Sequence, residues 1–256
     1  MPRAKKLSAI KSTIKKVFNI FNLEITTKNN FESRFNNYIA EISKEEQGIL
    51  KNISEYTLSS QVNQWSIIQS LKYIKSKNIE GSIVECGIYK GGTLLLIIKI
   101  LENLGLKKSL YGYDTFEEGF DKLSEHDVDI KGKVVEELKF EDNFFPTKDE
   151  VVNIFKKFDV DNESMPILIK GKTQDTLKKS ENVPEKISFL RLDTDIYEPT
   201  IGQLEVLFPK LCSRGVLHID DYGHCPGVRK AVDEYFRNKN VWLHRVDYTC
   251  RILIKD

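Results

Sequence analysis

The sequence predicts an α/β fold in which helices cover both faces of a mostly parallel β-sheet. Three observations support this prediction. Residues 1–78 show helical spacing of apolar residues and no strong strand signal. From residue 82 onwards, short apolar runs alternate with stretches long enough for crossover helices, as in parallel sheets. The last two apolar runs are only a few residues apart, and such a short connection permits antiparallel but not parallel pairing.

We therefore divide the chain into an N-terminal helical extension over residues 1–78 and a sheet domain over residues 79–256. Within the extension, residues 41–50 and 60–76 have the apolar spacing of helices. The strands are predicted at residues 82–85, 109–114, 166–171, 187–193, 215–221, 241–247 and 251–256. The last two runs predict that the sheet ends in a reversed hairpin.

A polar, acidic insert at about 117–150 separates the second and third strands. Inserts of this length at such a place usually form lids or binding loops. Near its end, Thr147 and Glu150 make the T-x-x-E pattern of a capping box, so a helix is predicted to begin there.

The composition is that of a soluble globular protein. The 256 residues include 39 basic and 38 acidic side chains, and this balance argues against a dedicated nucleic-acid binder. The four cysteines form no CxxC pair, which excludes a zinc ribbon or a CxxC redox motif and favours free thiols in a reducing cytoplasm. No apolar run reaches the roughly 20 residues of a membrane span. We therefore expect a cytoplasmic protein.

The first 25 residues carry six basic side chains before the first acid, Glu24. Apolar residues recur among them at three- and four-residue intervals, which predicts an amphipathic helix. Such a helix either packs on the core or on a second subunit, or lies on an anionic membrane surface. We expect a homo-oligomer, and peripheral contact with the inner membrane surface remains an open alternative.

The residues that carry chemistry are acids at the carboxyl ends of predicted strands. Ligands of open parallel sheets bind outside these ends, so acids gathered there indicate a binding site. The acids are Glu85, Asp114, Asp193, Asp195, Asp220 and Asp221.

The first strand leads into a glycine-rich turn with the spacing ExGxxxGG, from Glu85 to Gly92. Glycines at such a turn let the backbone bend sharply and approach a ligand. The spacing departs from the dinucleotide pattern GxGxxG. Its acid suits a cationic ligand, such as the sulfonium and amino groups of S-adenosylmethionine, better than a pyrophosphate. At the end of the second strand, Asp114 is placed to accept hydrogen bonds from both hydroxyls of a ribose.

Asp193 and Asp195 follow an apolar run, and in extended geometry they project to the same side. Two neighbouring carboxylates repel each other unless a cation or a proton intervenes. With Asp220 and Asp221 on an adjacent strand, four carboxylates gather, and such oxygen ligands favour Mg²⁺, Mn²⁺ or Ca²⁺. His218 and His224 flank the second pair of aspartates, so zinc is an alternative metal. His218 alternates with Ile219 in a predicted strand and is better explained as a core residue.

Several motifs together resemble the macrocin O-methyltransferase (TylF-like) family. They are YTLSS at 56–60, the ExGxxxGG turn, a strand ending in D-T-F, GKTQDTL at 171–177, LDxDxYxxT and IDDYGxxxGxRxAVD. Members of this family are sugar O-methyltransferases that depend on S-adenosylmethionine and a divalent metal. The resemblance implies a Rossmann-like, doubly wound class I methyltransferase sheet. The chain departs from the family pattern at Glu118, which precedes Gly119 in D-T-F-E-E-G, and in the insert at 117–146, where the acceptor site is expected.

The resemblance also implies roles for individual residues. Asp195 would be the general base. Mg²⁺ would be bound by Asp193, Asp220 and Asp221. S-adenosylmethionine would be held by Glu85, Gly87, Thr93, Asp114 and Gln174, the last of them near the adenine.

This hypothesis is chemically coherent, because a metal ion orients and acidifies a sugar hydroxyl while a nearby group removes its proton. Either Asp195 or His224 could be that group, and the first is favoured. The acceptor would be a glycoside, a nucleotide sugar or a surface glycan. Three alternatives stay open: an NAD(P)-dependent oxidoreductase, a membrane-recruited binding module without catalytic activity, and a metal-dependent hydrolase.

Overall fold

A computed structural model of the chain describes residues 39–120, 123–129, 131–135 and 145–256. Residues from Ile42 to Asp256 form one compact unit. The amphipathic helix predicted within the first 25 residues lies outside the described residues, so membrane contact and oligomer formation stay predictions, as do the division at residue 78 and the cytoplasmic location. Among the helices that are described, none has the length and apolar character needed to span a membrane.

Seven strands form a single sheet, as the sequence predicts. They are β1 (Ser82–Cys86), β2 (Leu110–Asp114), β3 (Ile167–Lys170), β4 (Ile187–Leu192), β5 (Leu211–Ile219), β6 (His244–Arg245) and β7 (Arg251–Ile254). Their order across the sheet is β3-β2-β1-β4-β5-β7-β6. The first five strands are parallel, whereas β7 pairs antiparallel with both β5 and β6. The predicted parallel sheet with a reversed hairpin at its end is therefore confirmed.

The helices of the described part follow the predicted pattern. They are α1 (Lys44–Ile53), α2 (Gln61–Ser76), α3 (Gly92–Leu104), α4 (Lys148–Lys157), α5 (Thr173–Thr176), α6 (Tyr197–Leu207) and α7 (Pro226–Phe236). The capping box predicted at Thr147 and Glu150 is present at the start of α4. A second capping box, formed by Ser43 and Glu46, begins α1. In each box, two otherwise unpaired backbone N–H groups of the first turn gain partners.

Helices pack on both faces of the sheet because alternate strand residues point to opposite sides. One apolar core lies under α1 to α4 and includes Ile83 and Phe189. The other lies under α6 and α7 and includes Val84 and Leu190, the next residue along each of the same strands. This alternation defines a doubly wound sheet whose central strands are buried on both sides.

Polar side chains interrupt the first of these cores in one row across the sheet. Register pairs Glu85 of β1 with Arg191 of β4, and Arg191 with His218 of β5. All three side chains are fully buried. The polar residues Asn63 and Ser66 of α2 hydrogen-bond to groups of this row or beside it. The row leads to the carboxyl edge of the sheet, where the predicted acids lie.

Candidate active site

The carboxyl edge of the sheet carries the acids that the sequence places there. Glu85 lies in β1 and Asp114 ends β2. Asp193 directly follows β4, and Asp220 directly follows β5. Backbone hydrogen bonds from the Asp193 N–H to Cys86 and from the Asp220 N–H to Leu192 extend the ladders by one residue. The acids are therefore held at one edge by the regular pairing of β1, β4 and β5.

A buried arginine at the centre of this edge binds three of the acids. Arg191 Nη1 donates to Glu85 Oε1 at 2.8 Å and to Asp193 Oδ2 at 2.6 Å. Its Nη2 donates to Asp220 Oδ2 at 2.7 Å and to Ser59 Oγ at 2.9 Å. Charge-assisted bonds of this length are strong, and the planar guanidinium fixes their directions. Arg191 was not among the residues predicted for the site, because its signal in the sequence is a single charged residue within the apolar run ISFLRL.

Arg191 changes the expected account of how the acids tolerate one another. We expected a divalent cation, or a proton on one of the acids, to reduce their repulsion, but the protein also supplies a cation itself, Arg191. Burial acts to raise the pKa of Asp220, yet Arg191 and further hydrogen bonds outweigh it, so the pKa lies below its usual value. Burial raises the pKa of Glu85 to about 8 and that of Asp193 well above its usual value, although Arg191 opposes both shifts. One guanidinium therefore offsets only part of the negative charge.

Asp195 reaches the site through a turn, and the expected extended geometry is wrong. Strand β4 ends at Leu192, and Asp195 has φ +62°, in the left-handed region. The Ile196 N–H donates to the Thr194 carbonyl at 2.8 Å, which closes a three-residue turn around Asp195. Left-handed backbone at a non-glycine residue costs about 1–3 kcal/mol, and such residues are enriched at functional sites.

Asp195 and Asp221 form a second, coupled pair of carboxyls. Their side chains hydrogen-bond to each other, so one of the two must carry a proton when no cation is present. Burial, then the neighbouring Asp193, raises the pKa of Asp195 to about 7. Burial, then Asp195 and Asp220, raises the pKa of Asp221 to about 9. Asp221 also has a left-handed backbone, with φ +57°.

The acids offer a donor set that fits a hard cation. One oxygen each of Asp193, Asp220 and Asp221 lies within 4.8 Å of the other two. The raised pKa values of Asp193 and Asp221 mean that this group lacks positive charge, which a divalent ion would supply. A second set within the same limit joins Asp195, Asp221 and the Cys225 thiol.

Asp220 is the most constrained member of the donor set. Its Oδ2 accepts from Arg191 and, at 2.8 Å, from Asn63 Nδ2. Its Oδ1 accepts from Thr249 Oγ1 at 2.8 Å and from the Asp221 N–H at 3.0 Å. These four bonds use the roughly four lone-pair positions of a carboxylate. Coordination of a metal by Asp220 would therefore displace one donor or share an oxygen with it.

The glycine-rich turn is shaped by close contacts with its neighbours. A Cβ on Gly87, whose φ is +80°, would lie 1.8 Å from the Asp193 carbonyl oxygen. Gly87 is therefore required where β1 meets the residue after β4. At the start of α3, the Gly92 N–H donates to the Tyr56 carbonyl at 3.0 Å. The buried Thr93 hydroxyl lies 3.4 Å from that of Thr57, so the YTLSS segment covers the beginning of α3.

Asp114 joins the glycine-rich turn to the end of β2. Its Oδ2 accepts from the Ile88 N–H at 2.7 Å and from the Tyr89 N–H at 3.1 Å, while its Oδ1 accepts from the Phe116 N–H at 2.6 Å. Burial raises its pKa even though these bonds oppose the shift. Gln174 lies in α5, directly after the neighbouring strand β3. The residues assigned to the cofactor are therefore distributed over three adjacent strand ends.

An unpaired oxygen supports the assignment of a donor-bearing ligand near β1. Glu85 Oε2 is buried and has no hydrogen-bond partner among the described residues. Because a buried, unpaired carboxylate oxygen is costly, a donor such as an amino group or a water molecule fits there. The assignment of individual residues to a metal and a cofactor stays a prediction.

The two histidines have different environments. His218 is fully buried, and its Nε2 lies 3.0 Å from Ser66 Oγ and 3.3 Å from Cys250 Sγ. Burial and Arg191 lower its pKa to about 3, so it is neutral. The expectation of a core histidine is therefore confirmed. His224 is exposed, and its Nδ1 lies 3.3 Å from Tyr248 Oη.

The described part of the insert is fastened beside the acids. Asp127 is buried, its Oδ1 accepts from the Tyr197 N–H at the start of α6 at 2.8 Å, and its Oδ2 accepts from the Ser124 N–H and hydroxyl. A Cβ on Gly227, in the first turn of α7, would lie 2.2 Å from Asp127 Oδ1. Asp127 was not predicted to have a role, because a lone acid in a polar loop does not reveal its partners.

The doubly wound sheet with its reversed hairpin is the fold of class I methyltransferases. Solved structures with this fold include the O-methyltransferase NovP, with TM-score 0.67 and 23% identity over 78% of this chain and 82% of that one. The calicheamicin methyltransferase CalS11 matches with TM-score 0.61 and 16% identity over 86% of this chain and 96% of that one. A Podospora anserina methyltransferase, PaMTH1, solved with S-adenosylhomocysteine bound, matches with TM-score 0.55 and 14% identity over 91% and 98%.

The chain belongs to the macrocin O-methyltransferase (TylF) family, whose sequence model matches residues 11–255. It is 27% identical over 209 residues to demethyldecarbamoylnovobiocin O-methyltransferase of Streptomyces niveus, covering 81% of this chain and 77% of that one. It is also 27% identical over 165 residues to 8-demethyl-8-(2,3-dimethoxy-alpha-L-rhamnosyl)-tetracenomycin-C 4'-O-methyltransferase of Streptomyces olivaceus, covering 63% and 60%. The protein is therefore an S-adenosylmethionine-dependent O-methyltransferase, and the oxidoreductase, hydrolase and non-catalytic alternatives are set aside.

Proposed function

We propose that this enzyme needs a divalent metal and methylates a sugar hydroxyl of a glycoside, a nucleotide sugar or a surface glycan. The observation that carries the metal is the convergence of Asp193, Asp220 and Asp221, whose ligand oxygens lie within 4.8 Å of one another. Carboxylate oxygens in this number suit Mg²⁺, Mn²⁺ or Ca²⁺. The proposed ligands are therefore these three acids, with Mg²⁺ as the expected ion.

The sugar acceptor is supported by the chain's relatives and by the rim of the site. The tetracenomycin relative is named for a rhamnosyl compound. At the rim, the Tyr248 side chain is 58% exposed and Leu58 is 75% exposed. A hydrogen bond of 2.6 Å between Ser60 Oγ and Asp247 Oδ2 holds their two segments together. Exposed aromatic and apolar side chains next to convergent polar groups are typical of small-molecule sites.

Asp195 is the proposed general base. Its raised pKa of about 7 brings it near the range in which a base works at neutral pH, and burial is the main cause. When bound, the metal would supply Lewis-acid stabilisation to the acceptor oxygen. Asp195 would take the hydroxyl proton as that oxygen becomes methylated, and Asp221, hydrogen-bonded to Asp195, would orient it. His224 is the weaker candidate because it is exposed and contacts Tyr248.

The cofactor would be held along the ends of β1, β2 and β3. Asp114 is proposed for the ribose, Gln174 for the adenine side, and Glu85 for a donor through its unpaired Oε2. Gly87 and Thr93 shape the glycine-rich turn that joins β1 to α3. S-adenosylmethionine would supply the methyl group, and the residues named here would fix its position relative to the acceptor.

Methyl transfer from radiolabelled S-adenosylmethionine to a panel of rhamnosides, nucleotide sugars and polysaccharides tests this proposal. We expect EDTA to abolish transfer and Mg²⁺ to restore it, while S-adenosylhomocysteine still binds in calorimetry. Asp195→Asn should lower kcat by about 10²–10⁴. Asp175→Asn, an exposed acid paired with Lys178, is the matched control and should retain full activity. Transfer that is unaffected by EDTA would remove the metal from the mechanism, and transfer only to acceptors without sugar would refute the acceptor class.

A further inference from the structure

The Arg191 guanidinium joins the two parts of the site. Nη1 bonds to Glu85, in the glycine-rich turn motif, and to Asp193, a proposed metal ligand. Nη2 bonds to Ser59, in the segment that covers α3, and to Asp220, a second proposed metal ligand. Among the described ion pairs, no other side chain pairs with three acids at once.

Arg191 does not contact a ligand itself, because its side chain has no exposed surface. It acts on the acids, whose positions it determines. Asp193 and Asp220 lie at the ends of neighbouring strands, and one carboxylate oxygen of each, Oδ2, accepts a hydrogen bond from the same planar guanidinium. This contact fixes the rotation of both carboxylates and therefore the direction in which their remaining oxygens point.

An arginine is required for this geometry. Its guanidinium presents several N–H donors in a rigid fork, whereas a lysine is a point charge on a flexible stem. The four contacts of Arg191 are directed in pairs from two nitrogen atoms, so a lysine at this position would keep the charge but lose the fork. Replacement by lysine therefore separates the charge of Arg191 from its geometry.

We propose that Arg191 is a positioning residue of the metal centre, holding Asp193 and Asp220 so that their oxygens converge with one of Asp221. The inference rests on the proposed function, because it assumes that these acids bind the metal. Groups that orient metal ligands in this way usually contribute 10–100-fold to metal affinity. Arg191 also neutralises part of the local charge, so that three acids can lie together before an ion binds.

The test compares the Mn²⁺ affinity of wild type with those of Arg191→Lys and Ser59→Ala, by calorimetry and electron paramagnetic resonance with S-adenosylhomocysteine present. We expect Arg191→Lys to bind Mn²⁺ about 10–100-fold more weakly, with methyl transfer recovering at high Mn²⁺. Ser59→Ala removes one contact of Arg191 Nη2 and should weaken Mn²⁺ binding about threefold. This is a smaller effect than that of Arg191→Lys, which removes the whole guanidinium. Arg251→Lys makes the same change on strand β7 of the same sheet, where Nη1 donates only to backbone carbonyls, and should leave Mn²⁺ affinity within about twofold of wild type.

The outcomes separate this inference from the proposed function. If wild type binds no Mn²⁺, the proposed metal dependence fails, and the inference fails with it. If wild type binds Mn²⁺ and both Arg191→Lys and Ser59→Ala match it, the inference alone is refuted. If Arg191→Lys does not fold, as judged by loss of S-adenosylhomocysteine binding, Ser59→Ala decides: weaker Mn²⁺ binding supports the positioning role and unchanged binding refutes it.

Discussion

Replacement of Gly87 by alanine should damage both stability and the acid cluster. The new Cβ would lie 1.8 Å from the Asp193 carbonyl oxygen, whereas ordinary contact begins at 3.4 Å, so the two backbones must separate by about 1.6 Å. The φ of +80° adds strain, because alanine in the left-handed region costs about 1–2 kcal/mol. Overpacking of this kind adds about 1–3 kcal/mol. The total loss is about 2–5 kcal/mol, which lowers Tm by roughly 5–15 °C in a domain of this size.

Gly105→Ala is the matched control for this measurement. Gly105 ends α3 with φ +60°, but a Cβ there meets no atom within 4 Å, so only the backbone strain remains. We expect a loss of about 1 kcal/mol and a Tm decrease of roughly 2–4 °C. Thermal unfolding followed by circular dichroism measures both variants, and Mn²⁺ titration should show weaker binding only for Gly87→Ala. Equal Tm decreases in the two variants would show that the contact with Asp193 is not what requires glycine.

Three further predictions concern the insert, the core histidine and helix α6. Asp127→Asn should raise KM for the acceptor and leave S-adenosylhomocysteine affinity unchanged, because it weakens the hydrogen bond from the Tyr197 N–H. The control is Asp129→Asn, at an exposed turn residue of the same insert. An unchanged KM in Asp127→Asn would exclude the anchoring role of Asp127. The pKa of His218 is about 3 in the folded state and 6.5 in the unfolded state, so the folded protein loses stability as pH falls below 6.5. Between pH 7.5 and 5, urea unfolding should show a loss of about 2 kcal/mol from this group. His218→Gln should abolish this pH-dependent loss, whereas His224→Gln, at an exposed position, should not. Gly202→Ala, within α6 and with open space at its Cβ, should raise stability by about 0.5–1 kcal/mol, and any decrease in Tm would show that the added methyl group is not accommodated there.

The sheet could be predicted because its signals are local. Each strand is a short apolar run, each crossover has the length of a helix, and the short final connection permits only antiparallel pairing. The edge of acids follows from the same pattern, since residues that end parallel strands lie at one side of the sheet. The positions of Asp193 and Asp220 beside each other needed no information beyond strand order.

The partners of these acids could not be predicted in the same way. Arg191 meets Glu85 and Ser59, which precede it by 106 and 132 residues in the chain. Nothing in the run ISFLRL shows whether its arginine faces solvent or a buried acid. The turn at Asp195 was missed for a different reason: β4 ends at Leu192, and the alternation rule holds only while the strand continues.

The balance of charge explains how so many acids lie together in the folded protein. Five carboxyls meet at the ends of β1, β4 and β5, while His218 is neutral and Arg191 is the one guanidinium that bonds to them within the described residues. Burial would leave several of these acids protonated even though Arg191 opposes this, as the raised pKa values of Asp195 and Asp221 indicate. A divalent ion can replace those protons, because it offers positive charge to several oxygens at once. Arg191 therefore offsets part of the negative charge of the cluster, and the proposed metal would offset a further part.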